Sequence, residues 1–477
     1  MEMFSSTWIF NILSYAKFND QRLVKRFGLI LESLAQRPAA SIPEASASWA
    51  MTKGTYRFLG NSKVSATEIR NSFIGYTSDK VSNHKMILVL NDTTEITYGK
   101  PKNTKINGYK KKTKVGGYTS SPDSDGVFLH SALVLGDQQT PEGLLYQKHW
   151  VRDNKEYGKS KNCTKRVIED KETYCWLEVL AATQKNIPES VASLIIGDRA
   201  SDIYELFIQP RRENCHLLTR SAHNRVINDP NDRYLFDALN KQPLAGTITI
   251  KIRTQVNKAR IATLEVRFTQ VQLKRTSGLK KTYPESILMS IVWAKEISTP
   301  VGESSVEWKL LTSLTVDTLE TAVQCIKWYA KRWIIERYHY ALKSGCQVED
   351  LQLESIENIE RALSIYCIIA WRLLYMTYIA RNEPDVPCTK VLSDNEWQAL
   401  WCFTNKAIMP PKNPPSLSEA IRLIAKLGGF LGHKSDGQPG IMTVWKGLRR
   451  LDDITETYRI FAEVNTRSSQ NFNRQTT

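Results

Sequence analysis

Two short apolar runs, each closed by an aspartate, limit the architecture more than any other feature of this 477-residue sequence. Residues 85–92 read KMILVLND and residues 191–198 read VASLIIGD. Neither run alternates polar with apolar residues, so each predicts a strand buried on both faces, as in the sheet of an α/β fold. If the two strands are neighbours, Asp92 and Asp198 reach one sheet edge, where open α/β sheets bind ligands. Taken singly, either Asp is also an ordinary polar residue closing a strand before a turn.

A third carboxylate comes from a predicted helix that starts at Asp317 and Glu320, read as a capping box, and stops at Gly345. At about 100° per residue, Tyr329, Arg332, Glu336 and Lys343 fall on one stripe along roughly 21 Å of axis. Val323, Ile326, Ala330, Trp333 and Ile334 form the opposite, packing side. A carboxylate, two cations and a phenol in line suit a metal ion beside a polyphosphate, since Arg offers a fork and Lys a point charge. The same stripe also reads as a solvated face with Arg332 and Glu336 paired at i, i+4. Two divalent ions about 4 Å apart can activate an attacking oxygen and stabilise a leaving one, so three carboxylates suggest metal-dependent phosphoryl transfer.

The formal net charge of +16 fits a polyanionic partner, because each neutralised phosphate releases counterions. Residues 1–75 read as helical, with Val24, Phe27, Leu31 and Leu34 at helical spacing. Arg22, Lys25 and Arg26 lie near the start of one helix, and Lys53, Tyr56 and Arg57 on the next. Basic residues interleaved with aromatics suit phosphate and base contacts, and equally a solvated helix face. From Lys100 to Lys114 there are seven Lys and no acids, which predicts a mobile basic loop. Residues 127–135 and 144–151 read as antiparallel strands, Trp176–Lys185 and Arg199–Phe207 as helical. Residues 213–305, with HLLTR as the first strand-like run, form a β-rich block read as an insertion.

Beyond the Glu336 helix, residues 355–381 predict a long helix. Leu363–Ala380 is its most membrane-like stretch, but Arg372 interrupts it, so a buried helix and no membrane partner are expected. Amphipathic helices follow at 417–428 and 441–462, with an irregular tail from Arg467. The eight Cys contain no C-x-x-C pair, which fits core thiols in a reducing cytoplasm. Weaker signals are Gly158-Lys159-Ser160, a poor phosphate-loop match; Cys215, His216 and His223 at irregular zinc spacing; and His130, read as a core histidine. Glu95 and Asp202 are reserve carboxylates, and Trp308 reads as core.

These residues carry a resemblance. Tyr329-x2-Arg332-x3-Glu336-x6-Lys343 resembles the YREK motif of insertion-sequence-four family transposases. Asn91-Asp92-Thr93-Thr94 and Gly197-Asp198-Arg199-Ala200-Ser201-Asp202-Ile203 resemble the first and second Asp segments of that family. Gly54-x-Tyr56-Arg57-Phe58, Val64-Ser65-Ala66, Leu427-Gly428-Gly429-Phe430 and Trp445 also fit, so the similarity covers nearly the whole chain.

The resemblance implies an RNase H-like mixed-sheet catalytic core with a β-rich insertion, flanked by helical N-terminal and C-terminal domains. The implied boundaries are 1–75 for DNA binding, 76–212 and 306–372 for the core, 213–305 for the insertion and 373–477 for dimerisation. It implies Asp92, Asp198 and Glu336 as ligands of two Mg²⁺ ions, with Mn²⁺ as substitute. Tyr329, Arg332, Lys343 and Arg220 would grip DNA, Trp308 would stack on a flipped base, and Arg22, Arg26 and Arg57 would read the end. The expected partners are transposon-end DNA, target DNA and a second subunit in a synaptic homodimer, in a bacterial, nucleoid-associated cytoplasmic setting. Nicking, hairpin formation, hairpin opening and strand transfer would share one set of carboxylates. A silent DNA-binding inhibitor and a nuclease without strand transfer are the alternatives.

Overall fold

The computed structural model describes residues 7–46, 48–99, 116–120, 124–153, 166–253, 259–433 and 436–475. The Lys100–Lys114 run and Gly158-Lys159-Ser160 lie outside the described residues.

The N-terminal part is helical: α1 (Thr7–Leu13), α2 (Gln21–Gln36), α3 (Ile42–Ala45), α4 (Trp49–Leu59) and α5 (Ala66–Val81). Side-chain caps start α2 to α5, from Asp20, Ser41, Ser48 and Ser65 in turn. Phe18, Phe27 and Phe58 pack in a triangle of ring centroids 5.8–6.2 Å apart and tie α2 to α4.

The central part carries β1 (Met86–Gly99), β2 (Gly117–Tyr118), β3 (Ser124–Leu135), β4 (Pro141–Trp150), α6 (Tyr174–Asn186), β5 (Ala192–Gly197), α7 (Tyr204–Phe207) and β6 (Cys215–Arg220). It continues through α8 (Leu235–Asn240), β7 (Gly246–Arg253), β8 (Ala259–Lys274), β9 (Ser286–Glu296) and β10 (Glu307–Thr312). Among the described residues these strands make one mixed sheet of order β2-β3-β1-β5-β6-β10-β9-β8-β7, with β4 also on β3. β1, β5 and β6 are mutually parallel, while β3, β4, β10 and β9 are antiparallel to their neighbours. One apolar layer lies on each side of the sheet, so the two runs that lack alternation are strands covered on both faces. Cys215–Arg220, grouped by sequence with the 213–305 block, pairs with β5 in the centre of the sheet. The later strands of that block extend the same sheet through β10 and β9.

After the sheet come α9 (Leu319–Ala330), α10 (Trp333–Tyr340), α11 (Ile356–Asn382), α12 (Asp394–Asn405), α13 (Leu417–Leu427) and α14 (Ile441–Gln475). Three expectations change here. The cap of α9 is Thr318 with Thr321, not Asp317 with Glu320. The single helix expected from there to Gly345 is broken: Lys331 and Arg332 form a tight turn, and Ala341–Gly345 is a π turn. The tail from Arg467 is not irregular, because α14 continues to Gln475. Helix α11 is long and apolar enough to cross a membrane, yet 94% of its apolar window is buried in the protein. Its Arg372 is buried, with Nη2 donating to the Val391 carbonyl at 2.6 Å and the guanidinium against Trp8 and Tyr375.

Candidate active site

Strand register builds the site. β1 and β5 pair in parallel with Leu90 opposite Ile196, so two residues further on Asp92, still in β1, and Asp198, one residue past the end of β5, come close enough for the Asp198 charge to act on Asp92. β5 and β6 pair with Ile196 opposite Leu218, which puts Arg220 on the face of those two residues. β10 then places Leu310 opposite Arg220, and Trp308 two residues along shares the face. Leu90, Ile196, Leu218, Leu310 and Trp308 belong to the apolar layer that also holds the buried residues of α9 and α10. The helical segments with Tyr329, Arg332 and Glu336 therefore cover this sheet face beside both Asp residues.

Arg332 is the centre of the contacts. Its Nη2 donates to Glu336 Oε1 at 2.6 Å and its Nη1 to Asp92 Oδ2 at 3.4 Å, with the side chain only 11% exposed. Asp92 Oδ1 accepts from the Thr93 N–H at 2.8 Å. Burial first, then the charge of Asp198, pushes the Asp92 carboxyl up to about 7, with Glu336 adding and Arg332 opposing. Asp198 caps the 3-10 turn Arg199–Ser201, accepting from Ala200 N–H at 2.8 Å. Burial works against the charge on Arg332, but Tyr329, Glu336 and Asp92 outweigh it and hold its pKa above the ordinary value.

Tyr329 is buried and meets Trp308 edge-on, ring centroids 5.2 Å apart. Burial raises its pKa, while Arg332 and Arg220 pull the other way. Trp308 is thus packed under the phenol, only 8% exposed. Arg220 donates from Nη2 to the Glu307 carbonyl at 2.9 Å. Lys343 lies further along β1: its Nζ donates to the Glu95 carbonyl at 2.9 Å and pairs with Glu349 at 3.2 Å.

The two reserve carboxylates have structural partners. Asp202 accepts from Arg225 Nε at 2.7 Å and from the Ala222 and His223 N–H groups. Glu95 accepts from Ser120 N–H and Oγ at 2.8 and 2.7 Å. Trp333, expected on the packing side, is 59% exposed and stands beside the Arg332 guanidinium. The tight turn at Lys331 and Arg332 interrupts the helical period between Tyr329 and Trp333, and α9 and α10 bury different faces. Arg22, Arg26 and Arg57 stand apart on α2 and α4. Arg22 pairs with Asp20, Arg26 donates to Met51 Sδ, and Arg57 is exposed beside exposed Tyr56. Lys53 rides over the exposed Trp49 ring at 4.5 Å on the same helix.

Glu349 and His130 were not marked as site residues by sequence. Glu349 Oε1 accepts from Thr97 N–H and Oγ at 2.9 and 2.8 Å and so fixes Lys343 to β1, but it lies past Gly345, beyond the periodic stripe. His130 Nδ1 lies 2.8 Å from Thr93 Oγ on the opposite face, while its Nε2 has no partner. Burial pushes its pKa down to about 3, so the ring is neutral. Cys215 is a buried core thiol. Among the described residues no three His, Cys, Asp or Glu side chains already stand as a metal-ligand group. The donor chemistry nonetheless suits a cation: two of the three carboxylates share one guanidinium, and burial first, then the Asp198 charge, raises the Asp92 pKa.

An RNase H-like sheet whose acidic edge lies under a basic helix face defines a metal-dependent nucleic-acid phosphoryl transferase. The Transposase DDE domain matches residues 83–372, Transposase DNA-binding matches 5–64, and the Transposase Tn5 dimerisation domain matches 368–467. The chain belongs to the DDE transposase family, in its Tn5-like, insertion-sequence-four branch. It is a DNA transposase with DNA and a second subunit as partners, and its DDE domain works with divalent metal ions.

Proposed function

We propose that the protein is a cut-and-paste transposase that nicks, hairpins and reopens transposon ends and then joins them to target DNA. The observation that carries this is the closeness of Asp92 and Asp198 beneath Glu336 and Arg332. Asp92, Asp198 and Glu336 are the ligand set, for two Mg²⁺ ions with Mn²⁺ as substitute. When bound, the cations supply Lewis-acid stabilisation of the phosphorane charge and ease loss of the attacking hydroxyl's proton.

Each step is an in-line displacement at phosphorus. Water attacks first, leaving a 3′-hydroxyl on the transposon strand and a 5′-phosphate on the flank. That hydroxyl attacks the opposite strand, closes a hairpin and releases the flank's 3′-oxygen, which takes up a proton. A second water reopens the hairpin, and the same 3′-hydroxyl displaces a 3′-oxygen of target DNA. Arg332, Lys343, Arg220 and Tyr329 hold phosphates in register for these attacks. Trp308 serves a flipped base after movement of the Tyr329 ring that covers it. Residues 1–75, with Arg22, Arg26 and Arg57, read the end; 76–212 and 306–372, joined by the strand Cys215–Arg220, form the catalytic core, the rest of 213–305 the insertion, and 373–477 the dimer region of a synaptic complex.

The test is cleavage of end duplexes in Mg²⁺ by wild type and by Asp92→Asn, Asp198→Asn and Glu336→Gln. Wild type should yield nicks, hairpins and plasmid integrants, and each variant should bind the end but cut at least about 10³-fold more slowly. A variant that still nicks removes that residue from the ligand set. Double-strand cuts by wild type with no joined product identify a nuclease instead.

A further inference from the structure

We propose that Arg332 is the built-in counter-cation of the DNA-free site, so that divalent metal and DNA phosphate are taken up together rather than independently. This rests on the ligand set and phosphate contacts of the preceding section. The guanidinium spans the gap between two of the three carboxylates, reaching Asp92 Oδ2 at 3.4 Å and Glu336 Oε1 at 2.6 Å. It is nearly closed to solvent, and its Nε has no partner. A metal ion on Asp92 and Glu336 would face that positive charge at contact distance, so the ion and the guanidinium compete for the same oxygens.

The geometry also says what relieves the competition. Arg332 sits in the tight turn between α9 and α10. The two Nη nitrogens that hold the carboxylates form the fork that a phosphate would take. A DNA phosphate arriving there draws the guanidinium away and uncovers the oxygens, and metal bound there frees the guanidinium for phosphate. Two ligands that each remove the same internal obstacle bind cooperatively, and the coupling is reciprocal. Lys343 repeats the pattern in milder form, because Glu349 neutralises it until a phosphate replaces that carboxylate. Before it meets DNA, the enzyme thus carries a site occupied by its own side chains and poorly charged with metal.

The test is Mn²⁺ binding, read by electron paramagnetic resonance of free Mn²⁺ at pH 8.5, on full-length protein with and without an end duplex. The high pH keeps Asp92 ionised when its neighbouring cation is removed. Asp92→Asn protein with duplex supplies the blank for ions held by DNA alone. Arg332→Gln should bind Mn²⁺ without DNA about tenfold more tightly than wild type, within the usual 5- to 150-fold range of such couplings. Duplex should tighten wild-type Mn²⁺ binding by a similar factor and do so less in the variant. Equal or weaker Mn²⁺ binding by folded Arg332→Gln overturns the proposal. Arg332→Lys keeps one positive charge without the fork and should fall between the two. If Arg332→Gln does not fold, absence of any duplex effect in wild type overturns it. Failure of duplex-bound wild type to exceed the Asp92→Asn blank instead removes the ligand set itself.

Discussion

Asp92→Asn should make the protein more stable at pH 8, although Asp92 lies at the centre of the candidate site. The Asp92 carboxyl is pushed from 3.8 up to about 7, chiefly by burial and by Asp198. Below about pH 4 both folded and unfolded chains hold this proton, so the group contributes no pH dependence. Between about pH 4 and 7 the folded state keeps the proton while the unfolded state has lost it, so stability falls as pH rises. Above about 7 the full penalty is present. A gap of about three pH units corresponds to roughly 4 kcal/mol at 1.36 kcal/mol per unit, an upper bound for a site coupled to Asp198 and Arg332. Asparagine cannot ionise, so the variant escapes this term and gives up only the Arg332 contact at 3.4 Å. For a chain of this length unfolding together, the unfolding entropy is roughly 1 kcal/mol per kelvin, so the gain is about 2–4 °C in Tm. The assay is thermal unfolding of both proteins in chelator at pH 5 and pH 8. The difference between them should grow in the variant's favour from the lower to the higher pH. A variant equally or less stable than wild type at pH 8, by the same margin as at pH 5, refutes the assignment of strain to Asp92.

Other outcomes follow from the remaining contacts. Arg57→Ala, on the exposed basic face of α4, should weaken end binding and lower the salt slope of log K by about 1, read by titration at several salt concentrations. Gly447→Ala should destabilise the α13–α14 pair by about 1–3 kcal/mol in denaturant unfolding, because a Cβ there would meet the Ile424 carbonyl oxygen at 1.8 Å. Arg37 reaches from α2 to Asp452 and Asp453 on α14 at 2.5 and 2.8 Å. Arg37→Ala should therefore cost about 1–2 kcal/mol, between exposed and buried pairs, and loosen the N-terminal helices in hydrogen exchange.

The parts of this site that could be read in sequence are those set by simple periods. Two apolar runs ending in Asp mark two buried strands, and Asp92 and Asp198 come close once the strands are neighbours. A 3.6-residue period likewise brought Arg332 and Glu336 together, and they are paired at 2.6 Å. What the sequence did not reveal depends on local hydrogen bonding or on partners far along the chain. The tight turn at Lys331 and Arg332 and the π turn at Ala341–Gly345 leave no mark in hydrophobic spacing, so an unbroken period predicts a packed Trp333 where the structure exposes it. The strand Cys215–Arg220 looks like others in its block, and only its parallel pairing with β5 places it beside the site.

The segment from Arg332 to Lys343 also meets one strand at two heights. Arg332 meets β1 at Asp92, while Lys343 meets it at Glu95 and, through Glu349, at Thr97. Eleven residues of ideal helix rise about 16 Å. Asp92 to Glu95 covers roughly 10 Å of extended strand and Asp92 to Thr97 roughly 17 Å, so the Lys343 side chain reaches back along β1 to Glu95 while its partner Glu349 bonds at Thr97. Rotation is the easier condition, because eleven residues at about 100° each come to only roughly 20° beyond three full turns. The π turn adds a residue to its ring just where Lys343 must point back at β1. Glu349 then fixes the end of that lysine to the strand. The YREK spacing therefore works with a locally altered backbone to place two cations at two heights along the strand that carries Asp92. A single ideal helix would supply nearly the right direction, and the length of the lysine side chain makes up the remaining distance.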